Sequence, residues 1–540
     1  MKRWNGWGDE SHSYEVPVKS RAALSDWVGA PSAAKSASLG EVLETVPQSR
    51  VTAAPFLSFD AEDRLRHARG QSFGDWVALR SGKIGVFPDA VAYPETSEDV
   101  RSLLEWAQRT GTRLIPYGGG TSVVGHINPE AGSAPTVTMD LRRMSGLLKL
   151  DEVSRLATFG AGVSGPDLEA RLRAHGLTLG HFPQSFEQST LGGWIATRSS
   201  GQQSAHYGRI ERLFAGGQVE TPKGTLKLPV FPASAAGPDL KELVLGSEGR
   251  LGVITEATVR VSKLPEREEF VGVFFPGWEE GLAASRTIAQ AKLPLSMLRL
   301  SAPEEARTML MLAGHERLLG ALEAWMKFRG AGEGKALLLI GSTGSAASVT
   351  FALEEALALT RKHAGISAGR TFGAQWTKNR FRAPYLRNSL WELGYAVDTL
   401  ETAAPWSAVP KLLRDMEAAL RTGLEKWNEK THVYTHLSHL YGDGSSIYTT
   451  YLFRLAPTPE ETLERWQRLK TRASEAIVAG HGTISHQHGV GVDHAPYLAA
   501  EKGALGMTTL EGVMRGFDPS GVMNPGKLLR PPIIPSGVEG

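Results

Sequence analysis

The sequence predicts an α+β protein with more than one domain, and three observations support this fold class. The chain has 540 residues, which is more than one hydrophobic core usually serves. Residues 86–265 contain two units in which strands, a helix and glycine-rich loops follow one another. Residues 266–480 instead alternate β-rich runs with long helices, which is typical of an α+β domain built on an antiparallel sheet.

The composition excludes several classes of function. The hydrophobic fraction is 41% and the charged fraction 21%, which is ordinary for a soluble globular protein. The net charge of +2 gives no reason to expect nucleic acid as a partner. The chain has no cysteine, which excludes disulfides, thiolate metal sites, a cysteine nucleophile and a cysteinyl bond to a cofactor.

We expect a cytoplasmic protein, because the absence of cysteine fits a reducing compartment. The opening "MKRWNGWGDESHSYEV" has no apolar run and predicts no secretory signal. No stretch approaches the roughly 20 apolar residues of a membrane span. Peripheral contact with a membrane and a homodimer are left open.

The chain is expected to fall into four segments. These are an N-terminal helical and connecting segment (1–85), a nucleotide-binding domain (86–265), a cap domain (266–500) and a C-terminal segment that returns to the nucleotide-binding domain (501–540).

The first unit of the nucleotide-binding domain carries clear helix signals. Thr96 or Ser97 can cap a helix whose first turn is acidic. An apolar stripe follows at helical spacing, formed by Val100, Leu103, Leu104 and Ala107. In the second unit, "GPDLEARLRAHG" (165–176) predicts a helix that ends on Gly176.

Three glycine clusters need a common explanation. In "PYGGGTSVVG" (116–125), consecutive glycines follow an apolar strand and can turn their N–H groups inward as a nest for a pyrophosphate. It is neither G-x-G-x-x-G before a helix nor a Walker loop. The other two clusters are "PQSFEQSTLGGWIATRSSGQQSAHYG" (183–208) and "GSEGRLGVITEATVRV" (246–261). Three such loops in this order are a much more specific signal of function than any one of them alone.

With these three loops the sequence resembles the flavoprotein superfamily of vanillyl-alcohol oxidase (PCMH) type. The resemblance implies a two-part FAD-binding domain with an α+β cap, and a C-terminal return that includes "FDPSGVMNPGKLL" (517–529). The FAD contacts that it implies are Pro116, Tyr117, Gly118, Gly119, Gly120, Thr121, Ser122, Val123, Gln184, Ser185, Phe186, Glu187, Gln188, Ser189, Thr190, Thr197, Arg198, Ser199, Ser200, Glu248, Gly249, Arg250, Leu251, Gly252, Val253 and Ile254.

The FAD is expected to be bound without a covalent link. Cysteine is absent from the chain. One branch of the superfamily has "GGH" in the first loop. This chain has Thr121 where that histidine would stand.

Two branches of the superfamily compete. The D-2-hydroxy-acid dehydrogenases carry a metal motif related to "HLYGDGSSIY" (439–448) and "HQHGVG" (486–491). Here His439 stands at the first ligand position, but Tyr448 and Gln487 replace the second imidazole and the carboxylate. Because divalent metals need such ligands, the sequence predicts no metal.

The other branch is the alkyldihydroxyacetonephosphate synthase family, which this chain resembles over almost its whole length. The matching stretches are "RWNGWG" (3–8), "PYGGGTSVV", "TLGGWIATRSSG", "GSEGRLGVITEAT", "RNSLWELGYAVDTLETAAPW" (387–406), "SIYTTYLF" (446–453) and "ISHQHGVG" (484–491). The resemblance implies that acyl-dihydroxyacetone phosphate exchanges its fatty acid for a long-chain alcohol, through an adduct on flavin N5 and without net redox change. The alternative is an FAD-dependent D-2-hydroxy-acid or alcohol dehydrogenase or oxidase, and a third hypothesis is a flavin-binding scaffold with a degenerate site.

The resemblance also implies roles for single residues. Tyr448 is the proton-transferring residue, and Arg387 holds the phosphate or carboxylate, for which a forked guanidinium suits the geometry. Arg299 matches a second arginine near the flavin, and Thr399 is expected to contact substrate.

The loop around residue 487 corresponds to a triple-histidine loop of that family. His486 and His488 retain the outer members, whereas Gln487 replaces the middle one. An amide can hydrogen-bond but cannot shuttle protons at neutral pH. The sequence leaves open which of these residues is the essential base. A further run of histidines at 432, 436 and 439 is assigned to loop or strand positions without ligand roles.

Overall fold

The computed structural model describes residues 2–31, 34–52, 54, 56–312, 326–332 and 334–529. The strands among them are β1 Leu57–Ser58, β2 Ala90–Ala92, β3 Arg113–Tyr117, β4 Thr136–Asp140, β5 Leu147–Asp151, β6 Leu156–Gly160, β7 Leu177–Thr178, β8 Phe214–Thr221, β9 Gly224–Leu228, β10 Val253–Arg260, β11 Ser262–Lys263, β12 Arg267–Phe275, β13 Met297–Ser301, β14 Ala336–Gly344, β15 Ile366–Gly369, β16 Tyr395–Pro405, β17 His432–Leu437 and β18 Gly444–Arg454.

The α-helices among the described residues are α1 Val18–Val28, α2 Leu39–Leu43, α3 Ala61–Arg66, α4 Phe73–Ser81, α5 Ser97–Thr110, α6 Gly165–Arg173, α7 Leu191–Thr197, α8 Ser204–Tyr207, α9 Ile210–Leu213, α10 Lys241–Val244, α11 Trp278–Gln290, α12 Pro303–Leu312, α13 Ala346–Arg361, α14 Thr371–Asn379, α15 Ala383–Glu392, α16 Val409–Arg421, α17 Pro459–Ala479 and α18 Leu498–Phe517. None of these helices has both the length and the apolar character that crossing a membrane requires.

The first sheet has the strand order β1-β2-β4-β3, and β2, β4 and β3 run parallel. Helix α5 begins where the sequence predicts, because the Thr96 hydroxyl accepts the Asp99 N–H while the Asp99 carboxylate accepts the Thr96 N–H. The predicted apolar stripe of α5 is buried in the core beside this sheet. Amphipathic spacing therefore placed this helix correctly.

The second sheet is antiparallel with the order β5-β6-β10-β8-β9. Helix α6 ends at Arg173, earlier than the sequence predicts. Its last turn tightens, since the N–H groups of His175 and Gly176 donate to carbonyls three residues back. Gly176 itself takes φ +68°, a left-handed conformation that suits glycine after a helix.

The third sheet, called the cap sheet here, has seven strands in the order β15-β12-β14-β13-β17-β18-β16, and every neighbouring pair is antiparallel. Alternate residues point to opposite faces. Ile447 and Phe453 of β18 belong to a large hydrophobic core with α11, α13, α16 and α17. Tyr448 and Thr450 face the other way and line a cavity.

The end of the described chain returns to the first sheet. Leu114 of β3 donates its N–H to the Val522 carbonyl and accepts the N–H of Asn524. Met523 is fully buried in the core beside this sheet. The proline-rich tail that follows residue 529 lies outside the described residues.

The N-terminal segment is packed into the cap by aromatic side chains. Phe73 of α4 stacks on Trp466 of α17 with ring centroids 5.5 Å apart and lies 5.6 Å from the ring of Phe453. Its side chain is fully buried. Because aromatic burial contributes most where packing is complete, Phe73 is a main contact between these two parts of the chain.

We predict that Phe73→Ala lowers the free energy of unfolding by about 3–5 kcal/mol, since it removes a fully buried ring and leaves a cavity. Urea denaturation followed by tryptophan fluorescence measures the change. Phe351→Ala is the control, because Phe351 is 55% exposed, and we expect less than about 0.5 kcal/mol there. Equal stability of the two variants would contradict this packing.

Candidate active site

A cavity of about 940 Å³ lies between the glycine clusters and the cap sheet. Its volume is near the upper end of the roughly 300–1,000 Å³ of ligand sites. The predicted FAD-contact residues that line it are Pro116, Tyr117, Gly118, Gly119, Gly120, Thr121, Ser122, Val123, Gln184, Ser185, Ser189, Thr190, Thr197, Ser199, Ser200, Glu248, Gly249, Gly252 and Ile254. The three clusters that the sequence separates therefore meet at one wall.

The first glycine cluster is fixed by close backbone approach. A Cβ on Gly119 would lie 1.7 Å from the Gln188 carbonyl oxygen, and one on Gly118 would lie 2.2 Å from Thr190 Oγ1. Gly120 takes φ +74° beside the hydroxyl of Tyr117. Only glycine fits this contact between the first and second clusters.

The same loop offers unused hydrogen-bond donors. Among the described residues, the backbone N–H groups of Gly119, Gly120 and Thr121 have no acceptor. Amides that converge on a cavity favour an anion such as a pyrophosphate. The loop therefore has the shape and the donors to hold the phosphates of a dinucleotide, and the group fits these residues.

Seven predicted FAD-contact residues do not line the cavity: Phe186, Glu187, Gln188, Arg198, Arg250, Leu251 and Val253. Several of them support the wall from behind. Arg250 donates to the Met523 carbonyl at 2.6 Å, and Arg198 donates to the Leu245 carbonyl at 3.1 Å. Glu187 accepts the hydroxyl hydrogen of Tyr385 at 3.2 Å.

The opposite wall is a row of side chains on the cap sheet. Tyr448 of β18 lies directly across from His436 of β17 and from Glu401 of β16 in the strand register. Residues paired in this way project from the same face. The rings of Tyr448 and His436 stack at 4.9 Å, and the Tyr448 hydroxyl donates to Thr399 Oγ1 at 3.2 Å.

Burial raises the pKa of the Tyr448 phenol well above its ordinary value, and the hydrogen bond with Thr399 opposes this only in part. The phenol is therefore protonated at neutral pH and can donate a hydrogen bond. Burial has the opposite effect on imidazoles, because it disfavours their charged form. It lowers the pKa of His488, although the nearby Glu401 raises it in part. His488 is thus a neutral base.

Two buried carboxylates hold the loop 484–491. Glu401 Oε1 accepts the N–H groups of Gln487 and His488, both at 2.6 Å. Glu248 accepts the N–H groups of Val490 at 2.6 Å and Gly491 at 2.8 Å. The loop is thereby fixed to the cap on one side and to the third glycine cluster on the other.

The three predicted catalytic residues of this loop occupy different surroundings. Gln487 and His488 line the cavity, and the buried Gln487 Oε1 has no hydrogen-bond partner among the described residues. His486 does not line it. Its Nε2 accepts a hydrogen bond of 2.7 Å from Arg209 and lies 2.7 Å from the Tyr441 hydroxyl.

Both predicted substrate arginines line the cavity. Arg387 of α15 donates to the Gln71 carbonyl at 2.7 Å and lies over the ring of Trp76, 4.5 Å from its centroid. Its buried Nε and Nη2 atoms have no hydrogen-bond partner in the described part of the chain. Nη2 also lies 3.8 Å from Asp398 Oδ1, a charge contact without a hydrogen bond, so two guanidinium nitrogens at the cavity keep hydrogen-bonding capacity for an anion.

Arg299 of β13 is engaged differently. Its Nη2 donates to Glu305 Oε1 at 2.8 Å, and the same carboxylate oxygen lies 2.8 Å from Nδ1 of His436. Burial alone would raise the pKa of Glu305, but Arg299 and His436 lower it to about 2. No sequence pattern indicates His436, Glu305 and Glu401 as site residues, because strand register aligns His436 and Glu401 with Tyr448 and the packing of α12 brings Glu305 to His436.

The described residues of the altered metal motif do not come together as a set of metal ligands. His439 is buried, and its Nε2 lies 3.3 Å from the Gly201 carbonyl oxygen. Across the ranges that the structure describes, no group of three or more His, Asp or Glu side chains could hold a metal ion.

Next to this row lies an apolar wall. It consists of Met297, Met309, Leu310, Leu337, Leu339, Phe372 and Trp376. Leu337 pairs with Ser301, which in turn pairs with His436. Leu337 of the apolar wall therefore lies two strands away from that histidine, with β13 between them.

Two family models match the chain and define its class. Residues 88–228 match the FAD binding domain, and residues 264–528 match the C-terminal domain of FAD linked oxidases. The amide cradle and these matches make the protein an FAD-dependent flavoprotein, and the predicted fold class is confirmed.

Similar proteins narrow this class. Alkyldihydroxyacetonephosphate synthase of Dictyostelium discoideum is 31% identical, with 88% of this chain and 78% of that protein covered. The enzyme of the same name from Trypanosoma brucei brucei is 30% identical over 88% of this chain and 79% of its own. A solved alkyldihydroxyacetonephosphate synthase structure superposes with a TM-score of 0.82 and 26% identity, over 97% of this chain and 98% of that one.

The chain belongs to the alkyldihydroxyacetonephosphate synthase family, and its members are FAD-dependent enzymes. Oxidoreductases are also similar at lower identity. Mitochondrial D-lactate dehydrogenase [cytochrome] of Arabidopsis thaliana is 26% identical, with 90% of this chain and 80% of that protein covered.

We predict that Gly119→Ala lowers the FAD bound per protein at least about tenfold, because the new Cβ would meet the Gln188 carbonyl and open the amide cradle. Flavin absorbance relative to protein absorbance measures this. Gly40→Ala is the control, since a Cβ there has no neighbour within 4 Å. Full FAD content in Gly119→Ala would show that the cradle is not the binding element.

Proposed function

We propose that this chain exchanges the acyl group of an acyl-dihydroxyacetone phosphate for a long-chain alcohol, with FAD bound non-covalently. The observation that carries this proposal is a cavity in which an amide cradle, an arginine with two nitrogens that lack hydrogen-bond partners among the described residues, and an apolar wall meet. It is supported by the family to which the chain belongs. The absence of cysteine and the presence of Thr121 in the first glycine loop favour a non-covalent cofactor.

The phosphate of the substrate is assigned to Arg387. Its Nε and Nη2, which have no hydrogen-bond partner among the described residues, form the planar fork that binds phosphate in two hydrogen bonds. Stacking on Trp76 holds the guanidinium plane in place. Thr399 lies on the same wall and, together with Tyr448, is proposed to contact the reacting end of the substrate.

The chains of the fatty acid and the alcohol are assigned to the apolar wall, since burying methylene groups there contributes about 0.8 kcal/mol each. FAD, when bound, supplies an electron-poor ring with a nucleophilic nitrogen, which allows an exchange without net oxidation. The predicted FAD-contact residues that line the cavity would hold it.

Proton transfer at C1 of the substrate is assigned to His488 and Tyr448. The neutral imidazole of His488 can accept the proton, while the Tyr448 phenol donates a hydrogen bond to the oxygen that gains charge. The two rings are perpendicular, with centroids 5.7 Å apart. Gln487 beside them can hydrogen-bond to a ligand but cannot carry the proton.

An FAD-linked oxidoreductase for a 2-hydroxy acid is the second candidate. It is favoured by the similarity to D-lactate dehydrogenase, and Arg387 could equally hold a carboxylate. The two functions differ in products, because only the oxidoreductase would reduce the flavin and pass electrons to an acceptor.

We predict an ether product from acyl-dihydroxyacetone phosphate and hexadecanol, detected by mass spectrometry together with one equivalent of free fatty acid. Bleaching of the flavin by 2-hydroxy acids under anaerobic conditions, without any ether, would establish the second candidate instead.

Acid precipitation of the same protein should leave the FAD in the supernatant, whereas FAD in the pellet would contradict non-covalent binding.

We predict that Tyr448→Phe keeps its FAD and loses exchange activity by about 100-fold or more, since it removes the hydroxyl that donates a hydrogen bond at the reacting centre. Tyr434→Phe is the control, because Tyr434 also lines the cavity on this face. We expect it to stay within about tenfold of wild type. Wild-type turnover in Tyr448→Phe would remove that phenol from the mechanism.

A cytoplasmic location, peripheral contact with a membrane and a homodimer stay predictions.

A further inference from the structure

A second pair of histidine and carboxylate stands in the cavity, apart from His488 and Glu401. His436 Nδ1 and Glu305 Oε1 are 2.8 Å apart, and both residues line the cavity while being almost wholly buried. Arg299 Nη2 also lies 3.2 Å from His436 Nδ1, but the ionised Glu305 is closer and can only accept hydrogen bonds, so the proton of the neutral imidazole is assigned to Nδ1. The lone pair is then on Nε2, which has no hydrogen-bond partner among the described residues.

The pair is held in this orientation from two sides. Arg299 donates to the same oxygen of Glu305 at 2.8 Å, which keeps the carboxylate charged and turned towards the histidine. The ring of His436 is stacked on that of Tyr448 with an interplanar angle of 22°. A carboxylate that orients an imidazole and a free second nitrogen form the usual arrangement of a general base.

The position of the pair indicates which proton it takes. Glu305 and Met309 lie one helical turn apart on α12, and Met309 belongs to the apolar wall. Met309 Sδ is 3.7 Å from Nη1 of Arg299, the arginine that also bonds Glu305. An alcohol whose chain lies along the apolar wall would bring its hydroxyl to this pair, and not to the amide cradle.

We propose that His436, oriented by Glu305, is the general base that activates the incoming alcohol. The inference rests on the proposed exchange reaction. The fatty acid leaves as a carboxylate with the electron pair of its bond to C1. The alcohol oxygen then bonds to C1 with its own electron pair, its O–H bond breaks, and the proton goes to His436 Nε2. The imidazolium afterwards gives this proton to solvent, so the step involves no net oxidation or reduction.

The strand β17 supplies a matched control for this assignment. His432 precedes His436 by four residues and lies on the same face of β17. It is buried, lies 3.4 Å from the neighbouring carboxylate of Glu304 and stacks on Trp27. Unlike His436, it does not line the cavity. If the buried histidines of β17 have only a structural role, replacing either of them should have the same effect. If His436 acts on the alcohol, only the replacement of His436 should slow ether formation.

The experiment separates the two halves of the reaction in the FAD-loaded protein. His436→Gln should form ether from hexadecanol about 100-fold more slowly, while deuterium uptake at C1 of acyl-dihydroxyacetone phosphate in D2O stays within about threefold of wild type. His432→Gln should leave both rates within about threefold. Flavin absorbance confirms that each variant is folded. Loss of both rates together in His436→Gln, loss of neither, or equal loss in His432→Gln would overturn the proposal.

Glu305→Gln tests the positioning role of the carboxylate. The charged or titratable groups around His436 are Arg299, Glu305, Glu401, Tyr434, His439 and Tyr448. Burial and Arg299 lower the pKa of His436, and Glu305 raises it. Without the negative charge of Glu305 the pKa of His436 falls. The acidic limb of the pH profile of ether formation should therefore move to lower pH, and the rate should fall because the imidazole is no longer oriented. An unchanged limb would overturn the role of Glu305.

If the wild-type protein forms no ether, the proposed function fails and this assignment with it. If it does, the variants alone decide.

Discussion

Two buried carboxylates fix the loop 484–491 between the cap sheet and the third glycine cluster. Glu401 of the cap sheet and Glu248 of the third glycine cluster each accept two backbone N–H groups of residues 487–491. Glu248 takes φ +52°, and its carbonyl is bonded by Asn524 from the returning C-terminal segment. Such buried charges are costly unless they are bonded in this way, so these four hydrogen bonds stabilise the loop in its observed position.

This arrangement also sets the charges of the side chains in the cavity. Glu401 accepts two backbone N–H groups and Glu305 accepts from Arg299, while the buried His488 and His436 lie beside these two carboxylates. Burial therefore keeps the imidazoles neutral and the phenol of Tyr448 protonated. Acids and bases thus stand side by side on one wall at neutral pH, as proton exchange with bound substrates requires.

Part of this site was predictable from short patterns. The helix α5 followed from Thr96, Asp99 and its apolar stripe, and the amide cradle followed from the glycines before Thr121. Both depend on neighbours in the chain, where spacing and backbone freedom are direct physical signals. The histidine at 436 gave no such signal, because buried histidines in strands are common and its partner Glu305 is 131 residues away.

The sequence by itself determined the glycine clusters, the alternation of the strands and the absence of cysteine, and with them an FAD-binding α+β protein of this family. Only the tertiary structure decided which side chains share a wall. The register of β13, β17, β18 and β16 brings Ser301, His436, Tyr448 and Glu401 into one row. Register depends on hydrogen bonds between strands that are far apart in the chain, so no local pattern encodes it.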